Sequence, residues 1–285
     1  MPASIVVYGP SPSSASTPIA TISGNNTGLQ SPFTPAVDAT GRLYVPNASS
    51  VTVYAPGANG NVAPIETVTG SETGIVDAQG VALDAQGHIY VAGENGILEF
   101  AAFTPGTQSG TPIATIVPAQ SPPGSIGGPL CIAIGSGGVI YGCYQSAALG
   151  AFIDQFPAGT NSTTATPSGT LVGSMTGLFI SAVGVAFDSS GRMYVSCFNG
   201  TSENVTTSVF SSTTGNPAPI ATYFAGEAGP ALNAAGDIAL ATSDDENQIL
   251  IFPPFLPGSS QNGGNQSPLA TLSVGVNGPA GLVYH

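Results

Sequence analysis

The chain has 285 residues, of which 6% are charged, and its two cationic side chains against 15 acidic ones give a formal net charge of −13. Because proteins neutralise phosphates with clustered Lys and Arg, this composition excludes binding to nucleic acid or anionic lipid through a basic patch. The sequence contains no run of 18 apolar residues, so we predict no membrane insertion.

From the N-terminus onward, one sequence unit recurs roughly every 40–50 residues. Each unit has a short apolar segment that ends in an aromatic residue, followed by a segment resembling PIATI. The aromatic residues are Tyr8, Tyr54, Phe100, Phe156, Phe210 and Phe252. The PIATI-like segments are Pro18–Ile22, Pro64–Val68, Pro112–Ile116, Ser168–Val172, Pro219–Tyr223 and Pro268–Leu272.

A predicted β-hairpin of the pattern φ-A-φ-D-x-x-G-x-φ-Y-V, in which φ is apolar, completes the unit. Its copies are Ala36–Val45, Val81–Val91, Ile132–Gly142, Val185–Val195 and Ala231–Leu240. The four runs of each unit alternate apolar and polar residues or are rich in β-branched and aromatic residues, with turn residues between them. Four short strands per unit are typical of a propeller blade.

We therefore predict an all-β fold, a six-bladed β-propeller that forms a single domain over residues 1–285. Five complete blades are predicted at residues 36–68, 81–116, 132–172, 185–223 and 231–272. A composite blade of residues 281–285 and 5–22 closes the ring, which removes exposed sheet edges. This blade lacks one strand, so either it has three strands or the chain was cut upstream of Met1.

The hairpin pattern followed by an aromatic-ended strand resembles the NHL-repeat class of six-bladed propellers over essentially the whole chain. This broad class includes gluconolactonase/regucalcin-like lactonases, streptogramin-lyase-like enzymes and many non-enzymatic binding propellers. The resemblance implies the fold and says little about activity.

Acidic residues are distributed unevenly over the two predicted faces. With the strands of a blade named A to D from the centre outward, the D–A and B–C loops form the face named the top, and the A–B and C–D loops form the bottom. The predicted top loops contain no Lys or Arg but carry Glu72, Asp77, Glu94, Glu203, Glu227, Asp244, Asp245 and Glu246. A face with one sign of charge favours a cationic ligand.

The bottom acids have a structural explanation. Asp38, Asp84 and Asp188 open D-x-x-G turns, in which the Asp side chain accepts hydrogen bonds from the turn's own N–H groups. Asn233 occupies the same position in the fifth hairpin. Both arginines, Arg42 and Arg192, also lie on these bottom turns.

Three top-loop residues are the candidate metal ligands. Asp77, Glu227 and Asn277 each precede a predicted innermost strand, where hard oxygen ligands suit Ca²⁺ or Mg²⁺. The resemblance to gluconolactonase-type lactonases supports Glu227 and Asn277, although Ala228 breaks that family's Glu-Gly-Pro spacing and no residue matches its catalytic Asp. We assign no catalytic residue. The candidate ligand-binding residues are Glu94, Glu203, Asp244 and Asp245, and the alternative is a solvated acidic rim without a metal.

Neither histidine lies in a predicted top loop. His88 is on a bottom turn and His285 is the last residue. Because a lyase of this class and a Ser-His-Asp hydrolase both need a histidine at the site, this placement argues against these activities.

The three cysteines, Cys131, Cys143 and Cys197, lack C-x-x-C spacing. If Ile134 pairs with Val139 in the hairpin, Cys131 and Cys143 lie on opposite sheet faces. We therefore predict buried free thiols and no disulfide.

These observations predict a non-catalytic, secreted or cell-surface binding propeller with its ligand site on the acidic top face. The ligand is a small molecule, a sugar or a protein. One alternative is a divalent-metal-dependent lactonase or hydrolase of the gluconolactonase type, and another is a structural scaffold in a larger extracellular assembly. We expect a secreted, periplasmic or cell-surface location, with the signal peptide already removed from this chain.

Overall fold

The computed structural model describes residues 3–106, 110–119, 127–198, 205–242, 247–258, 266–273, 275 and 279–284. Besides two 3-10 segments at Ser71–Thr73 and Ser136–Gly138, the regular elements of these residues are short strands. No helix in the described ranges has the length and hydropathy to span a bilayer. The strands are β1 (Ser4–Val7), β2 (Ala20–Ser23), β3 (Ala36–Val37), β4 (Leu43–Asn47), β5 (Ser50–Tyr54), β6 (Glu66–Val68), β7 (Gly80–Leu83), β8 (Ile89–Gly93), β9 (Gly96–Phe100), β10 (Ala114–Pro118), β11 (Cys131–Ile134), β12 (Ile140–Ser146), β13 (Gly150–Phe156), β14 (Ser162–Ala165), β15 (Gly169–Leu171), β16 (Ser181–Phe187), β17 (Met193–Phe198), β18 (Val205–Phe210), β19 (Ala221–Tyr223), β20 (Ala231–Leu232), β21 (Ile238–Thr242), β22 (Gln248–Phe252) and β23 (Ala270–Leu272).

The strands form an all-β propeller, as predicted. Five sets of four antiparallel strands are named blades I to V: β3–β6, β7–β10, β11–β13 with β15, β16–β19, and β20–β23. The sheet of blade II has a fifth strand, β14, which pairs in parallel with β10. The strands β1 and β2 form a separate two-stranded sheet, and residues 279–284 form no strand. The described residues therefore show five complete blades, and the predicted count of six is not confirmed.

The A–B turns have the predicted chemistry. In blade I, Asp38 Oδ1 accepts hydrogen bonds from the backbone N–H groups of Thr40 at 2.8 Å and Arg42 at 3.1 Å. Gly41 has a φ of 85°, which is favourable for glycine. Asn233 makes the equivalent bond to the N–H of Asp237 at 2.8 Å in blade V. The turn explanation of these side chains is confirmed.

The hydrophobic core lies between neighbouring blades, because alternate residues of each strand face opposite sides of its sheet. On β13, Phe152 and Phe156 belong to the apolar cluster between blades II and III. Asp154 lies between these two phenylalanines and is only 2% exposed. It accepts a hydrogen bond from the Thr170 hydroxyl at 2.5 Å. The core therefore contains a carboxyl group.

The outer strand of one blade is bonded to the C–D loop of the next. The N–H of Thr115 on β10 donates to Asn161 Oδ1 at 3.2 Å, next to the parallel pairing of β10 with β14. At the ends of the chain, the N–H of Thr271 on β23 donates to Ser14 Oγ at 3.0 Å. Tyr8, together with Leu282 and Tyr284, packs against the buried residues of blade V. The two ends of the chain thus meet beside blade V.

A disulfide joins Cys131 and Cys143, so the prediction of free thiols at these positions is wrong. The two residues are directly opposite on β11 and β12, with a Cα–Cα distance of 5.0 Å. The cause is the hairpin register: Ile134 pairs with Ile140 rather than with the predicted Val139. Cys197 remains a buried free thiol, as predicted.

Candidate functional site

The structure describes three of the seven residues predicted for the top-face site. Asp77 and Glu94 are both exposed. Their loops are adjacent, since the N–H of Glu94 donates to the carbonyl of Val76 at 2.9 Å. Glu227 is half-buried, and its N–H lies 3.2 Å from the carbonyl oxygen of Ala241. The remaining four lie outside the described residues: Glu203, Asp244, Asp245 and Asn277.

Three D–A loops of the top face share a Gly-x-x-Thr-Gly motif that was not predicted to be a structural element. It occurs at residues 24–28, 70–74 and 173–177. Each Thr hydroxyl donates to the carbonyl of the first glycine, at 2.8 Å, 2.8 Å and 2.7 Å respectively. The same oxygen accepts the N–H group two residues later. These side-chain bonds fix the conformation of the loops.

The loop motif explains the backbone of Asp77. Asp77 has a φ of 48°, and Ser31, at the same place in the loop that enters blade I, has a φ of 50°. Since Ser31 has the same conformation without a carboxylate, the positive φ of Asp77 is a property of the loop backbone. It is therefore no evidence for a metal at Asp77.

On the bottom face, the A–B turns of blades I and IV each hold an ion pair. Arg42 Nε lies 2.6 Å from Asp38 Oδ2, and Arg192 Nε lies 2.6 Å from Asp188 Oδ2. Burial alone would raise the pKa of Asp188, but hydrogen bonds from Ser190 and Arg192 outweigh it and hold this pKa below its usual value. Each of these turns is therefore electrically neutral.

Blade II has different residues in this turn. His88 stands in place of the arginine, with Nδ1 2.9 Å from Asp84 Oδ2 and 3.3 Å from Glu99 Oε1. The Tyr90 hydroxyl donates to Asp84 Oδ2 at 3.3 Å. Burial and then the charges of Glu99 and Asp84 raise the pKa of Tyr90, which keeps it a hydrogen-bond donor. Three ligand-type side chains thus converge beneath blade II.

Glu99 gives this cluster a second carboxylate. It lies opposite Tyr90 on β9, where blades I and IV have Val53 and Val209 opposite the corresponding tyrosines. Glu99 is only 6% exposed. Since a buried carboxylate needs a positive partner, two carboxylates facing one imidazole favour an additional cation.

An aromatic cover present on blades I and IV is missing from the blade II turn. The guanidinium of Arg42 lies 4.8 Å from the ring centroid of Phe103, and that of Arg192 lies 4.8 Å from that of Phe255. Each phenylalanine comes three residues after the aromatic end of the next blade's C strand. The corresponding residue for His88 is Gly159, which supplies no side chain.

The cluster of Asp84, His88 and Glu99, named the blade II centre, has the composition of a metal site. Its three ligand atoms lie within 4.8 Å of one another, and within the described ranges it is the one group of three or more His, Cys, Asp or Glu side chains that does so. Neither Asp77 nor Glu227 belongs to it. One imidazole nitrogen and two carboxylate oxygens suit Zn²⁺ or Mn²⁺, with coordination positions left for an exogenous ligand.

This centre was not predicted from the sequence, because Asp84 was explained by its turn and Glu99, next to the aromatic strand end Phe100, was not considered a candidate ligand. Two signals were present. His88 interrupts the Asp-x-x-x-Arg pattern of the related turns, and Glu99 occupies a position that is Val or Ile in blades I, IV and V.

No protein-family model and no curated protein matches the sequence. Among solved structures, the fold is similar to that of a gluconolactonase from Xanthomonas campestris, with a TM-score of 0.53 and 12% identity over 88% of this chain and 78% of that one. A putative oxidoreductase (glucose dehydrogenase) from Thermus thermophilus gives a TM-score of 0.53 and 14% identity over 82% of each chain. A chain of the mitotic checkpoint complex gives a TM-score of 0.50 and 12% identity over 78% of this chain, which spans 60% of that longer one. Because proteins with such different names share the architecture, these similarities establish a β-propeller fold and leave the function to the site.

Proposed function

We propose that this protein is a non-catalytic binding propeller that holds a divalent cation at the blade II centre. The observation that carries the proposal is the convergence of Asp84, His88 and Glu99 on one point, where related turns hold a neutral ion pair. With three protein ligands, the cation keeps coordination positions for an oxygen of a small molecule, a sugar or a protein.

The His88 nitrogen decides the class of metal. Imidazole with carboxylates suits Zn²⁺ and Mn²⁺, whereas Ca²⁺ and Mg²⁺ prefer all-oxygen sites. We therefore propose that the blade II centre binds Zn²⁺ or Mn²⁺. For the top-face residues Asp77, Glu227 and Asn277, Ca²⁺ or Mg²⁺ remains the proposed ion.

Thermal unfolding with and without metal tests the proposal. At ten times its Kd, Zn²⁺ is expected to stabilise the protein by about 1.4 kcal/mol, a shift of a few degrees that EDTA reverses. The double substitution His88→Arg and Glu99→Val, which introduces the residues of blade IV, should fold normally and abolish the shift.

The matched control is the top-face double variant Asp77→Asn and Glu227→Gln, which should keep the full response to Zn²⁺. If the Zn²⁺-induced shift in unfolding temperature is lost in the top-face variant and retained in the blade II variant, the metal binds at the top face. No response to Zn²⁺ or Mn²⁺ in the unaltered protein would refute the blade II centre.

A metal-dependent lactonase is the second candidate. It is supported by the similarity in fold to a gluconolactonase and by Glu227, whose backbone is bonded to β21 at the top of blade V. This function predicts hydrolysis of gluconolactone in the presence of Ca²⁺ or Mg²⁺, with activity lost in EDTA and on Glu227→Gln. Absence of turnover with both metals would eliminate it.

We further propose that β1, β2 and residues 279–284 together act as a sixth, incomplete blade. The packing of Tyr8, Leu282 and Tyr284 against blade V supports this assignment. We also propose a secreted, periplasmic or cell-surface location, since the Cys131–Cys143 disulfide is stable in oxidising compartments.

A further inference from the structure

Exposed apolar side chains are grouped on the top face where blades III and IV meet. They are Leu149 in the turn between β12 and β13, Phe179 and Ile180 in the loop that enters β16, and Phe198 at the end of β17. Phe179 is 58% exposed and Phe198 is 40% exposed. Together they are named the blade III–IV patch.

Backbone contacts hold these segments against one another. The N–H of Ile180 donates to the carbonyl of Phe198 at 3.1 Å. Gly150, next to Leu149, lies so close to the carbonyl oxygens of Leu178 and Phe179 that a Cβ would contact both. The Gly-x-x-Thr-Gly motif at 173–177 fixes the same loop. The four side chains therefore project from a preorganised surface.

The loop does not need these apolar residues in order to fold. When the three Gly-x-x-Thr-Gly loops are aligned, Phe179 and Ile180 correspond to Val76 and Asp77 before blade II. They correspond to Gln30 and Ser31 before blade I. The shared Thr–Gly hydrogen bonds form before Gln30 and Ser31 as well, so they do not require an apolar pair, although the backbones differ beyond the motif, where Ser31 and Asp77 have a positive φ and Ile180 does not. The exposed apolar pair is therefore explained better by contact with another molecule.

Charge determines the class of that molecule. The predicted top loops contain no Lys or Arg, and the chain's two arginines are paired with Asp38 and Asp188 on the opposite face. A second copy of this chain would bring another net charge of −13, and an anionic membrane would also be repelled.

We propose that the blade III–IV patch docks a cationic, amphipathic segment of a partner protein. Its aliphatic or aromatic side chains cover Phe179 and Phe198, and its Lys or Arg side chains are attracted by the acidic face. This surface is independent of the blade II centre.

Fluorescence titration with a labelled 14-residue peptide of Leu and Lys tests the proposal, with peptides in which Ser replaces Leu or Glu replaces Lys as comparisons. The Leu/Lys peptide should bind, and more weakly as salt is raised. The double substitution Phe179→Ser and Phe198→Ser should weaken binding by about tenfold or more.

The matched control is Ile65→Ser with Ile113→Ser, which removes two exposed aliphatic side chains outside the patch. This variant should bind the Leu/Lys peptide like the unaltered protein. Equal losses in both double variants, equal binding of the Leu/Glu peptide, or no binding would overturn the proposal. If sedimentation shows a dimer that dissociates only in the Phe179→Ser, Phe198→Ser variant, the patch binds a second copy of this chain and the proposal of a cationic partner is wrong.

Discussion

Replacing Gly226 with alanine is expected to destabilise the protein by about 3 kcal/mol or more. Gly226 has a φ of 130°, which side-chain-bearing residues rarely adopt. A Cβ there would contact the hydroxyl oxygens of Thr207 and Ser196, which are buried and hydrogen-bonded to each other at 2.7 Å. Because Thr207 also donates to the carbonyl of Ala225 at 2.7 Å, the clash falls on groups with no freedom to move.

Urea denaturation of Gly226→Ala beside Gly191→Ala measures this effect. Gly191 has a φ of 82°, but a Cβ on it would meet open space, so alanine there should cost only about 1 kcal/mol. Equal losses in the two variants would show that the close contacts at Gly226 do not matter. Since Gly226 precedes Glu227, the same variant should also reduce gluconolactone hydrolysis if the proposed lactonase function is correct.

Replacing Asp154 with asparagine is expected to stabilise the protein by about 2–3 kcal/mol at pH 7.5. Burial between blades II and III raises the pKa of Asp154 from 3.8 to about 6, although the Thr170 hydrogen bond opposes this shift. The nearby Tyr144 hydroxyl is buried and has no hydrogen-bond partner within the described structure, so nothing on that side compensates the charge. An amide keeps the shape and the Thr170 bond and removes the charge.

The pH dependence of this stabilisation follows from the pKa of Asp154, which is 3.8 in the unfolded chain and about 6 in the folded protein. The folded state binds the proton more tightly, so the cost of Asp154 is absent below about pH 4 and fully present above about pH 6. The gain from Asp154→Asn should therefore shrink toward zero in thermal melts at pH 3.5. Asp188→Asn is the opposite control, because its pKa is lowered in the folded state and its substitution should destabilise at pH 7.5. A pH-independent effect of Asp154→Asn would contradict burial of the charge.

The five complete blades could be predicted because the sequence patterns that specify their strands and turns are local. Alternating apolar residues, aromatic strand ends and the Asp-x-x-Gly turns each lie within a few consecutive residues, and the structure has strands and turns at those places. The composite blade depends on contacts between distant segments: an innermost strand was predicted at residues 281–285, but residues 279–284 form no strand and β1 and β2 form a two-stranded sheet.

The disulfide was missed because the predicted register of β11 with β12 was wrong, and the blade II centre was missed because the pairing of β8 with β9, which brings Glu99 beside the A–B turn, was not predicted. His88, in the turn before β8, meets Glu99 on β9, and Cys131 meets Cys143 only when the β11–β12 hairpin closes at Ile134 and Ile140. A one-residue change in pairing reverses the face of every side chain, so a correct hairpin with a wrong register gives a wrong site.

The contact between Ser14 and Thr271 has a consequence for synthesis of the chain. The strands β1 and β2 are synthesised long before their neighbours in blade V and at residues 279–284. The nascent chain therefore carries an unpaired sheet edge until those neighbours have been synthesised, and such edges are prone to aggregate. The contact between Ser14 and Thr271 joins segments 257 residues apart, so we expect its formation to be slow, as for other non-local contacts.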